Sequence, residues 1–155
     1  MLDAFHVVKL AAQAMDEVRR RVQQDTLGHR GRAGDPLYRV RNILHRAAAD
    51  LTERQWERLS DCLGRGDPDD EVFIAWQCYQ RVRAAYAAGQ PADGKTIAEK
   101  IVTSFPSCPI TEIARLGRTL RQWKDTHLGY FTTGGANNGG IEAINYLPPV
   151  SRTVG

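Results

Sequence analysis

Phe5–Gln24, FHVVKLAAQAMDEVRRRVQQ, decides the fold class. Phe5, Val8, Ala11, Met15, Val18 and Val22 recur at spacings of three and four, which places them on one face of an α-helix. Charged and polar residues fill the other side, and nothing in the stretch alternates at period two as a half-buried strand does. The helix is expected to run to about Gln24, because the glycine-punctuated GHRGRAG at Gly28 to Gly34 then breaks the pattern.

Downstream the same reading repeats. Asp35-Pro36 offers an N-cap followed by proline at the first helical position, where the missing N–H is no loss. Leu37, Val40, Ile43, Leu44 and Ala47 predict one apolar face of a second helix. Thr52 with Gln55 three residues on is a capping box opening a third helix through Trp56, Leu59 and Leu63, which Gly64 and Gly66 end. The acidic group Asp67-Pro68-Asp69-Asp70 favours a helix N-terminus, and Val72, Trp76, Tyr79, Val82 and Tyr86 form the stripe of the helix that follows, closed by Gly89 and Pro91. Ile97, Ile101 and Phe105 mark a shorter helix. Ile113, Leu116, Leu120, Trp123 and His127 trace a long one from about Pro109 to Phe131. Thr132 to Gly140, TTGGANNGG, reads as a loop, with Asn138 the cap of a short helix containing Glu142 before Pro148 and Pro149. The expectation is a mainly α chain of about six or seven helices, with Trp56, Trp76, Tyr79 and Trp123 in core packing rather than base stacking.

Composition bounds the function. The 155 residues, 42% hydrophobic and 25% charged, suit one globular domain. The formal charge is +3, and of the 21 basic residues all but four are arginine, so nucleic acid is a permitted partner. Cys62, Cys78 and Cys108 are an odd set without C-x-x-C spacing, which suggests neither zinc nor disulfides and fits reduced thiols in the cytoplasm. No apolar run approaches the roughly 20 residues that span a bilayer, and no signal-peptide order is read at the N-terminus.

Two carboxylates stand in suggestive settings: Asp3 in Asp3-Ala-Phe-His6, and Glu142 after the Gly/Asn loop. By position alone, Asp3 reads as a helix cap and Glu142 as an early-turn acid complementing a helix dipole. DAFHVVKLA (Asp3 to Ala11), the long run from Arg19 to Leu59, and TGGANNGGIEAIN (Thr133 to Asn145) add a second reading. Together they resemble the insertion-sequence transposases of the DDE type in the family written ISL-three, over about Leu2 to Asn145.

The resemblance implies a ribonuclease H-like catalytic domain, a mixed sheet flanked by helices, with a helical insertion between the second and third acidic residues. Asp3 then matches the second acid and Glu142 the third, and both would be catalytic and metal-binding. His6 matches a histidine that commonly follows the second acid, or is a packed first-turn histidine. The implied chemistry is DNA cleavage and strand transfer by phosphoryl transfer, with carboxylates holding divalent ions, usually Mg²⁺, because hard cations prefer oxygen ligands. Arg19, Arg20, Arg21, Arg30, Arg32, Arg115, Arg118 and Arg121 are the candidate contacts to the DNA backbone, or else solvated helix faces.

The sequence departs from that family at two places. The first acid lies on a strand upstream of the second, whereas only two residues precede Asp3; after Asn145 the family continues as a basic helix, whereas Tyr146 to Gly155 reads YLPPVSRTVG, as a frameshift or junction would produce. Residues 1–145 are therefore expected to be a partial catalytic domain, with the central sheet largely missing, and 146–155 a divergent tail. A truncated transposase fragment, inactive alone and without bound Mg²⁺, is the reading. The alternative is a non-catalytic DNA-binding or interaction module that inhibits full-length transposase. Helix faces that evolved against a sheet are expected to be exposed, with marginal stability, self-association or proteolysis as consequences.

Overall fold

Six α-helices follow one another in the computed structural model, which describes residues 4–123, 128, 129 and 131: α1 (Ala4–Leu27), α2 (Pro36–Arg39), α3 (Glu53–Gly66), α4 (Glu71–Ala87), α5 (Pro91–Ser104) and α6 (Thr111–Gln122). Short 3-10 turns at Ile43–His45, Ala48–Asp50 and Phe105–Ser107 join them, and there is no strand among the described residues. The mainly α expectation is met.

The central element is α4. Val72, Ala75, Trp76, Cys78, Tyr79, Val82, Ala85 and Tyr86 are all buried, more than the predicted stripe and nearly all round, as in a helix enclosed by its neighbours. Along one side runs α1, antiparallel; α5 packs on another side, and α6 lies against both α1 and α5. The buried face of α1 is Ala4, Val7, Ala11, Ala14, Met15, Val18 and Val22. Phe5 is 55% exposed, so the predicted stripe is one residue out of phase in the first two turns. Each fully buried valine or methionine on this face contributes about 1.5–3 kcal/mol relative to exposure.

The capping box at the start of α3 is present in both directions: Gln55 N–H donates to Thr52 Oγ1 at 3.2 Å, and Thr52 N–H donates to Gln55 Oε1 at 3.0 Å. The start of α4 is capped from farther back. Asp67 is buried, and its carboxylate accepts from Val72 N–H (3.0 Å) and Phe73 N–H (2.9 Å) across a left-handed Asp70. Burial pushes the Asp67 pKa above its ordinary value despite those two donors.

The predicted second helix is not continuous. Its apolar residues Leu37, Val40, Ile43, Leu44 and Ala47 are all buried, but after α2 the chain continues in 3-10 turns. Side chains of α4 take over the backbone groups that a helix would have paired. His45 O accepts from Tyr79 Oη (2.9 Å) and Arg83 Nη1 (2.6 Å), while the Gln80 amide donates to Arg46 O (2.9 Å) and accepts from Ala48 N–H (3.1 Å). Other boundaries also shift. Pro91 opens α5 instead of merely closing α4, consistent with proline's place in a first helical turn. Of the predicted α6 stripe, Ile113, Leu116 and Leu120 are buried, Trp123 is 42% exposed at the C-cap, and His127 lies outside the described residues.

Candidate nucleic-acid interface

Asp3 and Glu142, with the Thr132 to Gly140 loop and the 146–155 tail, lie outside the described residues. His6 is on the exposed side of the first turns of α1. Among the described residues no group of three or more His, Cys, Asp or Glu is placed to hold a metal ion. The candidate site therefore has its geometry in the arginines.

Arg19, Arg20 and Arg21 are consecutive, and successive side chains on a helix point about 100° apart. The three consequently do different things. Arg19 turns inward beside Val18 and Val22: it is 4% exposed, donates from Nη1 to Gln23 Oε1 at 2.5 Å, and has Asp16 Oδ1 at 3.8 Å from Nε. Burial lowers its pKa, with the Asp16 charge opposing. Arg20 is exposed and makes no ion pair with a described residue. Arg21 joins three helices, donating from Nε to Glu112 Oε2 and from Nη2 to Glu71 Oε2, both at 2.6 Å. The bonds to Glu112 and Glu71 raise its pKa; burial pushes Glu112 up, but the Arg21 bond and charge, its own backbone N–H and the Thr111 hydroxyl together hold it below its ordinary value.

The others differ as well. Arg30 and Arg32 are exposed in the loop between α1 and α2, where Gly31 holds a φ of 128° and a Cβ would strike the Gln23 amide and the Tyr38 ring. Arg115 pairs with Glu17 of α1. Arg118 and Arg121 are exposed on α6 without an ion pair to a described residue. A cleft of about 420 Å³ is lined by Glu17, Arg20, Arg21, Gln24, Asp25, Arg30 and Glu112, so an approaching phosphate meets both signs of charge. The arginines brought together are Arg20, Arg21 and Arg30; Arg118 and Arg121 stand toward the far end of α6.

The sequence marks Asp67 within an acidic group favouring the next helix start, and its carboxylate does accept from that helix's first N–H groups; it does not mark Gln80 and Arg83 as buried polar organisers, since their partners in the 45–48 segment lie more than thirty residues away. No helix among the described residues is long and apolar enough to cross a membrane.

A family model described as a transposase, of the DDE type written ISL-three, matches residues 1–148. No curated protein and no solved structure matches. Since that match takes in nearly the whole chain, including every arginine described above, the chain belongs to the ISL-three family of DDE transposases.

Proposed function

We propose that this chain carries the helical insertion of a ribonuclease H-like transposase catalytic domain, with residues 1–145 its domain portion and 146–155 a separate tail. Asp3 and Glu142 are the acids bordering the insertion. The observation that carries this reading is an all-helical core, α1 to α6, lying in sequence between those two positions within the family match. The function is DNA transposition. Two carboxylates suit a hard divalent cation such as Mg²⁺, which when bound supplies activation of the attacking oxygen and stabilisation of the leaving oxygen. Arg20, Arg30 and Arg32 hold DNA backbone beside the helical core. Arg19 and Arg21 act inside the fold instead.

A polypeptide of these 155 residues presents two of the family's three acids, so we expect it alone to cleave no transposon-end DNA. The test is to graft residues 3–142 into an active ISL-three transposase in place of its own segment. Metal-dependent cleavage by the chimaera, abolished by Asp3→Asn or Glu142→Gln, is the expected result. A folded chimaera whose activity survives both substitutions would refute the assignment of the acids, and a folded but inactive one would refute the insertion reading.

A second reading, an inhibitory module, is supported by the core the helices build among themselves and by the exposed Arg20, Arg118 and Arg121, none of them paired with a described acid. Adding the purified chain to an active transposase then lowers its turnover, with Asp3→Asn having no effect on that inhibition.

A further inference from the structure

Two separate surfaces of the helical core set exposed aromatic side chains beside charges of opposite sign. On one, α3 and the first turns of α4 border a groove of about 430 Å³. Trp76 lines it, with Trp56 edge-on at 5.6 Å and Phe73 stacked at 6.2 Å between ring centroids. Trp56 and Phe73 remain 39% and 37% exposed. Trp76 is buried, yet its Nε1 has no hydrogen-bond partner among the described residues. On α3 and the loop before α4, which border the groove, Glu53, Glu57, Asp69 and Asp70 are exposed and make no ion pair with any described residue, and they outnumber Arg54 and Arg58, the α3 arginines that are exposed in the same way. That charge repels a phosphate backbone and favours a basic occupant.

The basic counterpart is on the other surface. Arg21 of α1 meets both Glu71 and Glu112, near the starts of α4 and α6, whereas Arg115 meets Glu17, one turn back along α1. The last turns of α6 therefore point away from the groove. They carry Arg118 and Arg121, exposed and without a described acidic partner, and the half-exposed Trp123.

We propose that the α3–α4 groove receives the C-terminal turns of α6 from a second copy of this chain. Arg118 and Arg121 meet the acidic side chains, and Trp123 meets Trp56 and Phe73. Because two different surfaces are used, the contact is head-to-tail and adds copies in a row unless its rotation closes a ring. The inference stands apart from the catalytic reading and needs neither Asp3 nor Glu142.

Sedimentation velocity of the 155-residue chain over a concentration series is the test, with helicity monitored to confirm folding. The wild type is expected to associate with rising concentration and to dissociate as salt is raised. Two charge-reversed variants, one with Glu57→Arg and Asp69→Arg, the other with Arg118→Glu and Arg121→Glu, are each expected to be monomeric. Mixed, they are expected to associate, since one supplies an intact basic helix end and the other an intact groove. A wild type monomeric throughout, variants that associate as the wild type does, or a folded mixture that stays monomeric overturns the proposal. So does quenching of tryptophan fluorescence by a single-stranded oligonucleotide that Trp56→Ala removes in a monomeric protein, which would make the groove a nucleic-acid site.

Discussion

Arg21 and Glu112 stand 91 residues apart in sequence and are joined by two hydrogen bonds, Nε to Oε2 at 2.6 Å and Nη2 to Oε1 at 3.2 Å. The same guanidinium reaches Glu71, so one side chain fixes the starts of α4 and α6 against the last third of α1. Bonds to charged partners contribute about 1.5–3 kcal/mol when solvent is largely excluded, and the partial exposure of Arg21 places this pair toward the lower figure. In a double-mutant cycle with Arg21→Met and Glu112→Gln, urea unfolding is expected to give a coupling energy of about 1–2 kcal/mol. Additive single losses would show that the pair is not coupled.

The pH dependence of the same pair follows from its sign. The folded pKa of Glu112 is depressed, so its contribution to stability is present above the ordinary glutamate value of 4.5 and is lost as pH falls through the lower, folded value. Asp67 is shifted the other way, so its contribution is present below the ordinary 3.8 and is lost as pH rises through its folded value. Between about pH 3 and 7, Glu112→Gln is expected to narrow its deficit from wild type as the solution is made more acid. Asp67→Asn is expected to narrow its deficit in the opposite direction. Unfolding midpoints at several pH values check both, and parallel curves would contradict them.

What was legible in the sequence was what depends on near neighbours. The mainly helical class, the Thr52–Gln55 capping box and the buried α4 stripe follow from spacing and from residues three or four apart. The 43–48 segment shows where that ends. Its apolar residues are buried as predicted, but whether its backbone is a helix depends on Tyr79, Gln80 and Arg83, which local patterns do not connect to it. The arginines fail for a similar reason: Arg19 to Arg21 read as one basic cluster along the sequence, and the helix spreads them over three environments.

Gln80 gives a direct measure of that long-range control. Gln80→Ala leaves Arg46 O and Ala48 N–H without their partner, and a buried polar group so stranded costs about 1–3 kcal/mol. Hydrogen exchange is expected to lose protection at Ala48 while α1 keeps its own. Unchanged exchange at Ala48 would mean the side chain does not hold this segment.

Gly117 on α6 inverts the usual helix rule. An alanine in mid-helix is ordinarily about 1 kcal/mol better than glycine. Here a Cβ would sit 2.6 Å from Phe105 Cβ and from Pro106 N, part of a turn that cannot retreat without opening the core. Gly117→Ala is expected to destabilise by about 1–3 kcal/mol, the ordinary range for overpacking. A gain in thermal midpoint would show that α6 moves freely against the 105–107 turn.

The arginines separate into those engaged within the fold and those left exposed, which the proposed function assigns to DNA, and salt dependence distinguishes the two groups. Removing one cation that neutralises a phosphate lowers the slope of log affinity against log salt concentration by about 0.9 for duplex DNA. Arg20→Gln, Arg30→Gln and Arg32→Gln are each expected to reduce that slope by roughly this amount while leaving unfolding within about 0.5 kcal/mol of wild type. Arg19→Gln is expected to do the reverse. Its guanidinium is buried against Gln23 and close to Asp16, so removing it strands partners inside α1, lowers stability, and leaves the slope unchanged for the protein that remains folded. A slope that falls with Arg19→Gln and not with the other three would place the DNA-facing surface on a different side of α1, and the cleft beside Arg20 and Arg30 would lose its claim to it.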